Sequence, residues 1–342
     1  MYDALLYVSF GGPEGPDDVL PFLRNVTAGR DIPDDRLAEV AEHYHAHGGR
    51  SPINEQNRAV IAALQDAMAA AGIDLPVYFG NRNWHPLLPA ALRAIHADGH
   101  RRVLAHVTAA FSSFSGCRQY RQDLAAALTD SDVDLVIDKT RVFFNHPGFI
   151  EAQADRVRDA MAEVDDEDVR LLFVTHSIPL AMARHSDYVA QHMEASRLVV
   201  ERTVPAAPWE LVHCSRSGPP RVPWLTPDVN DRLRELADAG DRQPVVLVPI
   251  GFVSDHMEVI HDLDVEAVDT ARAVDIPMTR AGTVGTHPRY IRTIVDLVAE
   301  RIEPDRPRAA LGTFGPWHDA CPRDCCVVPG SDPAPTVADT AR

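Results

Sequence analysis

Short, almost uninterrupted apolar runs alternate along the chain with longer stretches of helical periodicity, and this alternation restricts the fold more than any other feature. Ala4–Phe10 (ALLYVSF) stops at Gly11–Pro13 (GGP), Val103–Val107 (VLAHV) precedes Ala109–Ser113, and Gln56–Ala71 repeats Ala, Leu, Ile and Met at helical spacing. A strand with one wet face would alternate polar and apolar residues. Continuous runs belong to parallel strands that helices cover on both faces.

The spacing predicts strands near 4–10, 76–81, 103–108 and 134–138, then a second set at Val169–Thr175 (VRLLFVT), Trp209–His213 and Val245–Pro249 (VVLVP). The turn Asn145–Gly148 (NHPG) separates the two sets. With 342 residues the chain exceeds the usual size of one core. The expected division is a first lobe of residues 1–143, completed by 286–315 through a helix at Arg289–Arg301, and a second lobe of 144–285. A Cys-rich tail of 316–342 follows, fraying over its last dozen residues.

Lys and Arg total 33 against 50 Asp and Glu, a formal charge of -17. That charge repels nucleic acid and anionic membrane surfaces, while leaving room for a few arginines to hold a small anion. The N-terminus reads as a first strand, without the basic region or cleavage site of a signal peptide. No apolar run reaches the roughly 18 residues of a membrane span, so no integral membrane segment and a cytoplasmic location are expected.

Open parallel sheets bind ligands beyond the carboxyl ends of their strands, which makes His176, Ser215 and the segment from Ser254 candidates together. The densest signal is Pro249–Glu266 (PIGFVSDHMEVIHDLDVE). If it is helical from about Asp255, then Glu258, Asp262 and Glu266 stand four residues apart on one face. With Asp255, His256 and His261 they offer oxygen and nitrogen donors suited to a borderline divalent ion such as Fe²⁺. A solvated acidic face explains the spacing equally well. His176, where an apolar strand stops, is placed to act as a general base, or else is a buried imidazole bonded to backbone. Ser177 beside it lacks a G-x-S-x-G elbow, which disfavours a hydrolase, and Gly11-Gly12 lacks the dinucleotide pattern.

Five cysteines stand at 117, 214, 321, 325 and 326. Cys117 with Cys321, Cys325 and Cys326 supplies four thiolates, enough for a [2Fe–2S] cluster or for tetrahedral zinc. Cys214, alone after a strand, reads as a small buried hydrophobe.

Taken together, the blocks 9–13 (SFGGP), 22–25 (FLRN), 44–53 (YHAHGGRSPI), 114–120 (FSGCRQY), 175–179 (THSIP), 215–219 (SRSGP), 223–225 (PWL) and 251–258 (GFVSDHME) resemble the ferrochelatases, and among these the actinobacterial coproporphyrin ferrochelatases. The resemblance implies an α/β fold of two Rossmann-like lobes, each a parallel four-stranded sheet flanked by helices, around a porphyrin cleft. It implies insertion of Fe²⁺ into coproporphyrin III to give coproheme, a lyase step of haem biosynthesis. By the same resemblance His176 is the active-site histidine and proton acceptor. Glu258 faces it across the macrocycle with Asp262 next on the same helix, and His176 and Glu258 contact the substrate iron. Arg24, Tyr44, Ser51 and Tyr120 fall on positions that line the porphyrin or hold its propionates. His43 stands where arginine is common, and Phe10 where some relatives carry a ligating tyrosine, so Phe10 can only pack on the ring. Cys214 replaces a common glutamine. Cys117, Cys321, Cys325 and Cys326 resemble the actinobacterial [2Fe–2S] pattern. The expected partners are the porphyrin and transient haem-pathway enzymes, with no nucleic acid, and a monomer in preference to a homodimer. Protoporphyrin IX as substrate, another metal-inserting tetrapyrrole chelatase and a non-enzymatic tetrapyrrole or metal carrier are the alternatives.

Overall fold

The computed structural model describes residues 1–29, 32–164, 168–218, 221–328 and 334–339. The predicted apolar runs form two parallel four-stranded sheets. In the first, β1 (Ala4–Ser9), β2 (Val77–Asn81), β3 (Arg102–Val107) and β4 (Val136–Lys139) are ordered β2-β1-β3-β4. In the second, β5 (Arg170–His176), β6 (Trp209–Cys214), β7 (Val245–Val248) and β8 (Met278–Arg280) are ordered β6-β5-β7-β8. The sequence reading did not foresee β8, a three-residue strand without an apolar run whose residues are all partly exposed.

Both sheets repeat one topology. The first strand of each is internal, with the second strand on one side and the third on the other, so the direction of winding reverses there. That reversal opens a crevice at the strand's carboxyl end. β1 and β5 are wholly or almost wholly buried, as strands sandwiched between helices must be. β5 therefore delivers His176 to the crevice of the second sheet, and β1 leads to Phe10 at the crevice of the first.

The Pro288–Ile302 helix packs against both Ile53–Ala70 and Pro147–Val164, joining helices from either side of the predicted 145–148 turn. Within this packing the Arg141 guanidinium forms a two-pronged ion pair with Glu300 at 2.8 and 2.9 Å, and it also donates to the Ala309 carbonyl at 2.7 Å. Side-chain exposure there is 0% and 2%, so neither charge has water as an alternative partner.

Beyond Ile302 the chain is held by side chains from distant segments. The Asn145 amide donates to the Leu311 and Gly315 carbonyls, Glu194 accepts from the Thr313 N–H, and Asp319 pairs with Arg301 and Arg308. Residues 334–339, expected to fray, are tied down because Arg121 donates to the Val337 carbonyl and pairs with Asp339, and Cys321 bonds the Ala338 carbonyl. The rest of the expected fraying, at 331–333 and 340–342, lies outside the described residues. No helix of the described residues is long and apolar enough to cross a membrane.

Candidate functional site

The second-lobe site is assembled by close backbone approach. A Cβ on Gly251, just past β7, would fall 2.3 Å from the Thr175 Oγ1, so only glycine lets this loop lie against the end of β5. The loop leads into a π-helix, Val259–Ala267, with Glu258 at its N-cap. The expectation of helix from about Asp255 thus holds in position but not in type. π-Helical turns bond i to i+5 and are rare outside functional sites.

This geometry brings His176 and Glu258 together. The imidazole Nε2 lies 3.4 Å from Glu258 Oε1, while its Nδ1 bonds the Ser177 carbonyl. Both ring nitrogens thus face acceptors, an arrangement that suits imidazolium. Burial alone would lower the His176 pKa, but the facing carboxylate reverses this and raises it to about 9. Burial opposes the charge on Glu258, and the His176 charge and hydrogen bond outweigh it, bringing its pKa down to about 2. The pair is still open to water, with 31% and 46% of the two side chains exposed, so screening weakens the attraction.

Two features of this pair bear on the expected proton transfer. With its pKa raised to about 9 by the facing carboxylate, the His176 imidazole must release a proton before it can accept one. The two groups also stand too close for a tetrapyrrole to lie between them, since a ring in van der Waals contact with both needs a separation of about 7 Å. A cavity of about 600 Å³ does lie nearby, beyond Ser177 and lined by His213, Asp228, Arg234 and Glu266, but neither His176 nor Glu258 lines it.

One turn along the π-helix, Asp262 accepts a bond from the Ser215 hydroxyl. Ser215 follows β6 in the left-handed region with φ 59°, a strained conformation for a non-glycine residue, which the bond to Asp262 helps to hold. Burial, partly offset by the Ser215 bond and reinforced by Glu258 and Glu266, raises the Asp262 pKa to about 7. Glu266 continues the row and approaches His261 Nε2 at 3.5 Å, and His256 Nδ1 lies 3.9 Å from Glu258. Asp255 serves architecture: it accepts from Gln56, Thr283 and Arg280 and so ties the loop to the first lobe.

The first-lobe candidates separate into two groups. His43 stacks on His261 with ring centroids 4.0 Å apart, and the Tyr44 phenol pKa is raised by burial and then by Glu258 and Asp262, so both residues reach the acidic helix. Phe10 is exposed and makes an edge contact with Phe22, and Arg24 is exposed beside Asp34. Ser51 is only 3% exposed and packs against Gly12, and Tyr120 is buried beneath Arg82, whose guanidinium lies 4.5 Å from its ring centroid.

Sequence reasoning missed Arg82, which spans Phe10 and Tyr120 and pairs with Asp123. It also missed the support behind His176. The Tyr188 hydroxyl donates to the His176 carbonyl at 3.0 Å and lies 2.6 Å from Thr175 Oγ1, which is 2.9 Å from His192 Nε2. Tyr188 and His192 sit one turn apart on the Tyr188–Val200 helix, a local cue that acquires meaning only once the helix is docked.

The predicted thiols also converge. Cys117, Cys321, Cys325 and Cys326 are free thiols, Cys321 lies beside Cys117 and Cys325, and the Cys325 and Cys326 sulfurs are 3.7 Å apart. His318, Cys321 and Cys325 form a group able to hold a metal ion. Around the thiols lie the almost fully buried cations Lys139, Arg118 and Arg121, and Arg118 Nη2 and Arg121 Nη1 have no partner among the described residues. Buried cations with free N–H groups fit an anionic assembly of thiolates, and the donor count fits an iron–sulfur cluster. Cys214 is buried at the end of β6, away from this set.

The chain has close relatives among known proteins. The coproporphyrin III ferrochelatase of Frankia alni is 54% identical over 346 residues, covering 97% of this chain and 88% of its own. The ferrochelatase of Rhodopirellula baltica is 51% identical over 329 residues, covering 95% and 93%. Among solved structures, SirB from Bacillus subtilis with Fe³⁺ has a TM-score of 0.55 at 12% identity, covering 91% of this chain and 100% of its own, which supports the fold alone. The ferrochelatase family model matches residues 2–302, a span that holds both sheets, His176 and the acidic π-helix, and the chain belongs to the ferrochelatase family.

Proposed function

We propose that the chain inserts Fe²⁺ into coproporphyrin III to give coproheme in haem biosynthesis. The observation that carries this reading is the meeting of His176, at the switch point of the second sheet, with the carboxylate row Glu258, Asp262 and Glu266. Relatives named coproporphyrin III ferrochelatase match 95% or more of the chain at 43% to 54% identity.

The reaction replaces two pyrrole N–H protons by one Fe²⁺, with no change of oxidation state. It therefore needs a proton acceptor, an exit for two protons and donors that release a hydrated cation. In this reading the macrocycle enters between His176 and Glu258 and parts them, because their 3.4 Å contact leaves no room for a ring between the two groups. Freed of its carboxylate, the imidazole loses the interaction that kept it charged and becomes able to accept a pyrrole proton. Glu258, with His256 Nδ1 still 3.9 Å from it, then faces the ring, and Asp262 and Glu266 extend from it as a path for protons or metal. His176 and Glu258 are the proposed contacts to the substrate iron.

Arg24 and His43, with Tyr44, Ser51 and Tyr120, are the proposed porphyrin-side residues, and Phe10 packs on the ring. Charge-assisted hydrogen bonds to propionates contribute roughly 1.5–3 kcal/mol each in a protected site, which favours the tetrapropionate coproporphyrin III over protoporphyrin IX with two. Separate lobes are proposed for 1–143 with 286–315 and for 144–285, with cluster ligands on the 316–342 tail. Cys117, Cys321, Cys325 and Cys326 are the proposed ligands of a [2Fe–2S] cluster, which links the first lobe to the tail and adds metal-binding free energy to folding. A cytoplasmic monomer that meets other haem-pathway enzymes transiently completes the reading.

The test is an anaerobic assay that follows loss of the free-base spectrum with Fe²⁺ and each porphyrin. A higher kcat/KM for coproporphyrin III is expected, and equal values would contradict the proposed specificity.

A further inference from the structure

Four cysteines supply every ligand of the proposed [2Fe–2S] cluster, yet a fifth donor stands beside them. His318 Nε2 lies 3.9 Å from Cys325 Sγ, and the donor atoms of His318, Cys321 and Cys325 all lie within 4.8 Å of one another. The imidazole is backed by an aromatic wall. Its ring centroid is 5.1 Å from that of Trp317, which in turn packs against Phe144 and Phe314. The preceding chain is fixed by the bonds of Asn145 and Glu194, and Asp319, the next residue, is fixed by two arginines. The ring is thus positioned by structure on both sides, not by chance proximity.

A nitrogen so placed and not needed as a ligand has one useful interaction with a thiolate, the donation of its N–H. A hydrogen bond to a cluster sulfur draws electron density from it, stabilises the more negative reduced cluster and raises the reduction potential. We propose that His318 is a positioning residue that donates an Nε2–H hydrogen bond to the Cys325 sulfur and raises the reduction potential of the cluster. This inference rests on the cluster reading above.

The experiment uses the full chain purified without oxygen, as wild type, His318→Ala, His318→Gln and Cys325→Ser. Iron and sulfide content, visible absorption, electron paramagnetic resonance of the reduced protein and a dye-mediated redox titration are measured on each. The expected result is equal cluster content in wild type and both His318 variants, a lower midpoint potential in His318→Ala, and partial or full recovery in His318→Gln, whose amide N–H can replace the donor. Equal potentials in all three would overturn the proposal. So would loss of the cluster from His318→Ala with retention in Cys325→Ser, since His318 would then be a ligand. Wild type without iron and sulfide would overturn the cluster reading itself, a result distinct from an unchanged potential.

Discussion

The contact between His176 and Glu258 governs how the site responds to pH. The His176 pKa is raised and that of Glu258 lowered, so the pair's stabilising contribution is full between the ordinary values of 4.5 and 6.5, and is lost as pH rises through about 9 or falls through about 2. In the free enzyme the proton must leave before the base can act, so kcat/KM for insertion should climb toward that pH. Glu258→Gln removes the charge that holds the proton, and its anaerobic pH profile should rise at lower pH than that of wild type. An unmoved midpoint would show that the His176 proton does not limit the reaction. Asp262 makes a separate prediction about stability. Its folded pKa is raised from 3.8 to about 7, so its contribution is present at low pH and lost as pH rises through 7. Asp262→Asn should therefore lose less thermal stability than wild type between pH 5 and pH 8, and equal losses would contradict the assigned proton. The sequence exposed these residues by type and position. It could not reveal the charge state of His176, which depends on a carboxylate 82 residues away meeting it at 3.4 Å.

At the level of elements, seven of the eight strands were legible because buried parallel strands have no polar face to interrupt the run. β8 was not, because it is short and partly exposed at a sheet edge, where little apolar area is buried. The acidic helix was legible in place but not in type, since carboxylates four residues apart stay close on both α- and π-helical turns and the spacing does not distinguish them. The hold on residues 334–339 was not legible, because its anchor, Arg121, comes from a segment more than 200 residues earlier. Arg141 and Glu300 extend the same point, as neither has any sequence signature. Glu300→Ala should destabilise the fold by roughly 3–5 kcal/mol, because it leaves a buried guanidinium without its counter-charge. Denaturant unfolding checks this, and a loss below about 1 kcal/mol would mean that the Ala309 carbonyl alone suffices.

For the whole molecule, two copies of one topology place two crevices at the ends of β1 and β5, and Gln56 on Asp255 and His43 on His261 tie the first lobe to the acidic helix of the second. Phe10, Arg24, His43 and Tyr44 come from the first lobe, and His176, Glu258 and Asp262 from the second. In this account the porphyrin is held largely by the first group, while proton removal belongs to the second. Binding and chemistry should then be separable by mutation. The most direct test is His176→Ala, measured for coproporphyrin III affinity by fluorescence titration and for anaerobic Fe²⁺ insertion on the same preparation. The expected result is a fall in kcat of about 10²–10⁴-fold with a dissociation constant that changes by less than about threefold. Parallel, large losses in both would contradict it and make His176 part of the scaffold.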